Sequence, residues 1–457
     1  MVDQTEPVAG PEVLLKVERR AGATLHEQIE QTLREHVRSG RLPPGSRVPS
    51  SRALAGELGV SRGVVLEAYA QLVAEGYLIA SQGAPTRVAP GFMAERPPLP
   101  AASLGPRHRY DFDPALPDLN AFPRERWVRS LRAALRAAPY ELLGAGDPRG
   151  IPQLRNELLR YVSRARGAAP EPEHTLICSG FAQGFATLCR TLKARGLERV
   201  AIEQPGYARQ RQIAEQSGLE AVPIAVDELG LDVAALAASG CEVVVVTPAH
   251  QYPTGVVLAS ERRAELLEWA DEEDALIVED DYDSELRYDR LPVGALQGLA
   301  PERVCHIASL SKRLAPGLGL GWVLSPSWLT GALTYEKATS DGPTPVIEQL
   351  ALADFIARGE LDRHLRRMRL RYRRRRDALV AALTEAFPDA RVTGIPAGLF
   401  VTLFLADRAD EDALVSAAAG RGVGLEEMAD DGAGLILGFG NLPRAAIIEG
   451  VRRLAGM

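Results

Sequence analysis

Lysine seldom sits at the mouth of an apolar strand, because desolvating an ammonium is costly. Residues 303–324 read RVCHIASLSKRLAPGLGLGWVL, and Lys312 holds such a place. Val304–Ile307 is a short apolar run, and Ala308–Ser311 is a turn of small residues. Leu314–Gly317 breaks the chain before Gly319 and Gly321 lead into a second apolar run. A lysine in a partly dry pocket loses its proton more easily and becomes an amine nucleophile. Ser309 and Ser311 offer hydroxyls suited to a phosphate. An amine beside a phosphate cup is what a pyridoxal 5'-phosphate Schiff base needs. The plainer reading of this stretch alone is a surface lysine in a loop.

Two more stretches bear on that choice. Ala275–Val278 has a buried-strand pattern and runs directly into Glu279, Asp280, Asp281 and Tyr282. Ligands of parallel α/β sheets bind outside the carboxyl ends of strands. A carboxylate there can pair with a protonated pyridine nitrogen, and a tyrosine can reach the phenolic oxygen. The alternative is an acidic loop that caps the next helix. Residues 175–185, TLICSGFAQGF, read as a strand, a glycine-rich turn and a helix from Phe185 onward. Backbone amides at a helix N-terminus bind phosphate well.

Taken in order, SGFAQG, EQPGYAR (203–209), TPAHQYPTG (247–255), VEDDYDSE and SLSK resemble the fold type I aminotransferases over about residues 110–457. The resemblance implies that Lys312 forms the Schiff base and that Asp280 meets the pyridine nitrogen. It places Tyr282 near the phenolic oxygen and Tyr207 on the ring face. It gives the phosphate to Ser309, Ser311 and the amides of Phe181 and Ala182, with Gln183 beside them. Tyr252 stands where the family has the asparagine of NPTG, and Arg209 is a candidate carboxylate contact.

Several positions depart from that family. The phosphate arginine of P-G-x-R is Gly319, with Arg313 as a candidate substitute from the other side of the turn. The tyrosine before Gly-Asp-Pro is Ala145, and the substrate-carboxylate arginine is Ile436. An arginine–carboxylate pair is bidentate and directional, and positioning supplies several kcal/mol of a barrier. Its loss argues against efficient transamination. An active aminotransferase carrying a DNA-binding arm is the alternative.

The elements around this series come next. The chain has 457 residues and a net charge of −7, so it is not a general polyanion binder. Its four cysteines form no CxxC pair, which points to a reducing cytoplasm and away from a zinc site or disulfide framework. No basic and apolar export signal and no membrane-spanning run is read. Leu25, Ile29, Leu33 and Val37 recur at helical spacing up to Gly40. After the Pro/Gly loop RLPPGSRVPS, Ser50 or Ser51 caps a second helix and Ser61 caps a third that runs to about Glu75. Residues 76–80 and 86–88 then read as a two-stranded wing with Gly83 at its turn.

This module, LHEQIEQTL through VVLEAYAQLVAEGYL, resembles the GntR family of transcription regulators. Residues 16–90 carry ten Arg and Lys against seven Glu, so 10 − 7 = +3, and the rest of the chain is −10. A basic module on an acidic protein is a DNA-binding footprint. Arg62, at the start of the recognition helix, is the candidate base reader. Arg52 and Arg47 are candidate phosphate contacts, and Ser61 and Gly83 complete the set.

Residues 89–108 are rich in proline and alanine and read as a linker. The expected architecture is an α/β protein: a winged helix-turn-helix at 20–88, then the linker, then a pyridoxal-phosphate-dependent fold type I aminotransferase-like domain at 109–457. This arrangement resembles the MocR subfamily. The resemblance implies a regulator of double-stranded operator DNA, a head-to-tail homodimer, pyridoxal 5'-phosphate as cofactor and a small-molecule effector. Residues 361–377, LDRHLRRMRLRYRRRRD, read as a helix with one apolar face. Its arginines form either a solvated, acid-paired face or a second DNA-contact surface.

Overall fold

A computed structural model describes residues 17–18, 22–81, 84–90, 108–144, 146–289, 293–428 and 434–456, without the side chains of 408–410. The chain divides into two compact units, Met1–Pro106 and Arg107–Met457.

In the smaller unit, α1 (Leu25–Arg38), α2 (Ser51–Leu58) and α3 (Arg62–Ala74) precede a wing of β1 (Leu78–Ile79) and β2 (Arg87–Val88). The boundaries follow from local chemistry. The Thr24 N–H donates to the Glu27 carboxylate at 2.6 Å, closing the start of α1. Ser50 Oγ accepts the Ala53 N–H at 3.1 Å, and Gly59 ends α2 at φ 61°, a backbone state that glycine tolerates. Ile29, Leu33, Val37, Leu54, Val65 and Leu72 fill the core. Tyr69 fixes α3 against the preceding loop, its hydroxyl donating to Pro49 O at 2.8 Å.

The larger unit begins with β3 (Tyr110–Asp111), α4 (Arg124–Ala137) and α5 (Pro152–Arg166). An alternating series follows: β4 (Thr175–Cys178), α6 (Phe181–Ala194), β5 (Arg199–Gln204), α7 (Ala208–Gln216), β6 (Glu220–Asp227), β7 (Gly230–Leu231), α8 (Val233–Ser239), β8 (Val243–Val246), α9 (Ser260–Glu272), β9 (Leu276–Asp281), β10 (Val304–Ser309) and β11 (Gly321–Leu324). Helices α10 (Ser327–Ser340), α11 (Val346–Ala357) and α12 (Glu360–Ala386) lead into β12 (Arg391–Thr393), β13 (Phe400–Phe404), α13 (Arg408–Gly420), β14 (Val423–Gly424), β15 (Glu426–Glu427), β16 (Gly434–Gly438) and α14 (Arg444–Ala455).

The main sheet has the order β4-β11-β10-β9-β8-β5-β6-β7. Strands β10, β9, β8, β5 and β6 are parallel, which aligns their carboxyl ends along one edge. β11 runs antiparallel between β10 and β4. Apolar clusters cover the two faces: Phe185 and Leu188 belong to one, Leu266 and Trp269 to the other. A smaller antiparallel sheet, β12-β13-β16-β15, packs with α12 and α13.

Two local readings change. α6 begins at Phe181, four residues earlier than the glycines suggest. Gly184 lies inside that helix, where an added Cβ would sit 3.1 Å from Val323 and 3.2 Å from Cys178 Sγ. That glycine serves close helix–sheet packing, and Gly180, at φ 119°, makes the turn. The acidic run is also no loop. β9 continues through Asp281, and Glu279, Asp280 and Asp281 are all buried.

Candidate functional site

β9 buries three consecutive carboxylates because each has a different job. Side chains alternate across a strand, so Glu279 and Asp281 share one face and Asp280 takes the other. Glu279 accepts the backbone N–H groups of Leu296 and Gln297, each at 3.1 Å. Asp281 accepts from Arg166 at 2.8 Å and Arg313 at 3.3 Å, with His306 Nε2 at 3.0 Å. Burial alone would raise the Asp281 pKa, but the two guanidiniums and His306 outweigh it and hold it well below the carboxylate range. Arg313 also bonds Glu285 and Ser309 O, and its guanidinium lies over the Trp322 ring.

Asp280 points instead into a cavity of about 530 Å³, a size usual for small-molecule sites. Its Oδ2 accepts the Gln210 side chain at 2.9 Å, while its Oδ1 is buried with no partner among the described residues. Burial raises its pKa well above the ordinary carboxylate value, opposed by Gln210 and reinforced by Asp281, Glu203 and Asp283. Lys312 lines the same cavity, its Nζ donating to Ala115 O at 2.7 Å. Burial lowers its pKa, and the surrounding carboxylates only partly oppose this.

Ten of the residues singled out in the sequence share this cavity: Lys312, Asp280, Tyr282, Tyr207, Tyr252, Arg209, Ser309, Ser311, Phe181 and Ala182. Phe181 and Ala182 open α6, so its N-terminal amides border the cavity beside the two serines. Tyr282 donates to His250 O at 2.7 Å, and Tyr252 donates to Glu426 at 2.6 Å. Burial raises the Tyr207 pKa, and the adjacent Arg209 guanidinium pulls it back.

Gln183 is not brought to the cavity. Its Oε1 accepts the Ser179 N–H at 3.1 Å and its Nε2 donates to Thr187, one turn along α6. Arg313 is no substitute for the missing phosphate arginine, because its guanidinium is committed to Asp281, Glu285 and Ser309 O. Gly319 leaves open space and no charge, and the cavity's cations among the described residues are Lys312 and Arg209. Ala145 lies outside the described residues.

The sequence reading missed Gln210, Glu426, Glu203 and the His250–Asp283 pair. α7 begins at Ala208, just after Tyr207, and brings Gln210 into hydrogen-bond reach of Asp280, which helical spacing could have shown. Nothing in the sequence places Glu426, in a two-residue strand, beside Tyr252.

The orphan Oδ1 of Asp280, the depressed Lys312 and the amide-and-hydroxyl cup together fit pyridoxal 5'-phosphate at its ring nitrogen, aldehyde and phosphate. The fit is weakest at the phosphate, where Gly319 replaces the family's arginine and, among the described residues, Arg313 does not take its place.

In the smaller unit, Arg47, Arg52, Ser61 and Arg62 are all exposed. Arg62 opens α3, and its Nε donates to Ser51 Oγ at 3.2 Å, so the first turn of α2 steadies it. Arg87, missed earlier, ties the wing to the loop carrying Arg47 by donating to Gly45 O at 2.8 Å. Gly83 lies outside the described residues. On α12, Arg371 and Arg375 both bond Asp118, and Arg369 donates to Glu285 O at 2.7 Å. These arginines brace the larger unit, whereas Arg366, Arg367, Arg373 and Arg374 face solvent.

Comparison with known proteins agrees with this two-part organisation. Residues 25–88 match the family described as bacterial regulatory proteins, gntR family, and residues 117–426 match aminotransferase class I and II. The chain is 34% identical to the HTH-type pyridoxine biosynthesis transcriptional regulator PdxR of Corynebacterium glutamicum, over 91% of each protein. It is 30% identical to the probable rhizopine catabolism regulatory protein MocR of Rhizobium meliloti, over 96% of this chain and 95% of that one. Among solved structures it is similar to the kynurenine aminotransferase of Pyrococcus horikoshii in complex with PMP, with a TM-score of 0.70 and 27% identity. That match covers 76% of this chain and 90% of the aminotransferase. No described helix is long and apolar enough to cross a membrane. A helix-turn-helix of the GntR type on an aminotransferase fold, with full-length relatives of the same build, makes this chain a member of the MocR-type transcription regulators.

Proposed function

We propose that this regulator holds pyridoxal 5'-phosphate at Lys312 and reads operator DNA with α3. Occupancy of the cavity, by the cofactor or by an amine or amino-acid effector, then sets its affinity for DNA. The carrying observation is that Lys312, with its lowered pKa, shares a cavity with Asp280, whose buried Oδ1 lacks a partner. When bound, the cofactor supplies an aldehyde and an electron-withdrawing ring.

The chain's own residues then have defined tasks. Lys312 would supply the amine for the aldehyde, and Asp280, held by Gln210, would meet the ring nitrogen. The α6 amides, Ser309 and Ser311 would hold the phosphate, Tyr207 would offer an aromatic face to the ring, and Tyr252 and Tyr282 would offer hydroxyls. The missing guanidinium at Gly319 makes retention modest, which suits a site whose occupancy varies. We infer that the chain works as a head-to-tail homodimer, as the resemblance to the MocR subfamily implies.

The test is an absorption spectrum of the purified protein before and after borohydride, with mapping of the modified peptide. A chromophore fixed to Lys312 and absent from Lys312→Ala supports the reading. A colourless protein that takes up no cofactor sinks it. Release of an oxo acid from an amino acid, turnover after turnover, would favour a working aminotransferase with a DNA-binding arm.

A further inference from the structure

The outer wall of the cavity has the wrong charge for an amino-acid clamp. β15 pairs with β16 so that Glu426 stands opposite Ile436, and β13 sets Thr402 opposite Ile436 from the other side. Paired residues project from the same face of a sheet. That face turns toward the cavity. Thr402 Oγ1 donates to Pro253 O at 2.5 Å, Phe400 lines the cavity two residues along β13, and the Glu426 carboxylate meets the Tyr252 hydroxyl at 2.6 Å. Ile436 itself is buried and apolar.

The cavity's acids can be told apart by their partners. Asp280 has its orphan oxygen at the floor, and Asp283 is bonded to His250 at 2.8 Å. The hydrogen-bond partner of Glu426 is a neutral hydroxyl. One ring bonds that carboxylate and two more line the same cavity: Tyr252 meets Phe400 edge-on at 5.2 Å and Tyr207 edge-on at 5.7 Å between centroids. A carboxylate among aromatic rings favours an ammonium, through charge and through cation–π attraction. A ligand carboxylate in the same place would face Glu426 with no guanidinium on Ile436's strand to offset the repulsion. Arg209, beside Tyr207, is the competing feature, because it offers a carboxylate an alternative contact on the other wall.

We propose that the outer part of this cavity takes a small aliphatic amine without a carboxylate, with a diamine as the simplest case and Glu426 facing its far ammonium. The inference rests on the cofactor occupying the floor, as argued above. The test uses full-length protein loaded with pyridoxal 5'-phosphate, with uptake checked by absorption and ligand binding measured by calorimetry. The probes are 1,4-diaminobutane and 4-aminobutanoate, which differ in the charge at one end. The diamine is expected to bind at least ~10-fold more tightly, in line with the cost of a like-charge contact. Glu426→Gln should remove that preference, and Ile436→Arg should reverse it. Cofactor uptake with equal affinity for the two probes, or a preference for the diamine that survives Glu426→Gln, overturns the inference alone. Failure to take up the cofactor overturns both it and the reading beneath it.

Discussion

Lys312 and Arg313 are adjacent in sequence and serve opposite sides of one turn. The lysine enters the cavity and meets Ala115 O, while the arginine is 2% exposed and bonded to Asp281 and Glu285. The arginine anchors the turn that presents the lysine, and it ties the end of β10 to the end of β9. Cutting one partner out of a buried ion pair leaves an uncompensated charge and costs about 3–5 kcal/mol.

Arg313→Met is therefore expected to lower unfolding free energy by roughly that amount. Lys312→Ala should change stability far less and abolish only the borohydride-trapped cofactor. Chemical denaturation of the two variants, run beside the trapping assay, separates anchor from amine. Equal stability of Arg313→Met and wild type would remove Arg313 from this role.

Glu203 gives a pH dependence with a definite sign. It is buried at the end of β5, and burial raises its pKa to about 7, opposed by bonds from Thr247 and Gln251. A carboxyl group whose folded pKa exceeds its unfolded value binds more protons when folded. Its contribution to stability is fully present below the ordinary 4.5 and is lost as pH rises through about 7. The gap corresponds to about 3 kcal/mol. Glu203→Gln should flatten the stability curve across that window relative to wild type. Parallel curves for the two proteins would show that Glu203 does not titrate there.

In the reader, Arg62 and Arg52 should fail differently. Arg62 lies at the start of α3, held by Ser51, where a recognition helix meets base edges. Arg62→Ala is expected to cost about 1–3 kcal/mol on the preferred operator and relax one base position. Arg52→Ala should weaken all sequences alike and reduce the salt slope by about 1. Binding titrations on operator and scrambled DNA at several salt concentrations measure both. An unchanged specificity ratio in Arg62→Ala would place the base reader elsewhere.

The sequence was legible where chemistry is local. The start of α2, expected at Ser50 or Ser51 and found at Ser50, and the turn presenting Lys312 both rest on neighbours a few residues apart. It was illegible where function depends on strand register or on a side chain's choice between two partners. Arg313 reads as a cation beside a phosphate cup, yet the acids of β9 and the following turn claim it. Glu426 went unread in the sequence, because only the β15–β16 register sets it opposite Ile436. Gly184 looks like part of a turn because its real constraint, the approach of Val323, comes from a strand about 140 residues away.

The last expectation links the two ends of the chain. A ligand can shift DNA affinity only as far as it binds one arrangement of the protein better than another. On the proposed reading, a cofactor site without a phosphate guanidinium is expected to fill and empty over a useful concentration range, which would make pyridoxal 5'-phosphate itself a fitting signal. Coupling free energies are typically 1–3 kcal/mol, so operator affinity is expected to change at least ~5-fold between empty and loaded protein. By reciprocity, operator DNA must change cofactor affinity by the same factor. Two titrations check this: cofactor with and without operator, and operator with and without cofactor, each for wild type and Lys312→Ala. The variant should lose the coupling but still bind operator, because its reader is intact. Equal operator affinity for empty and filled wild-type protein would exclude the cofactor as signal and leave the ligand facing Glu426 as the effector to test.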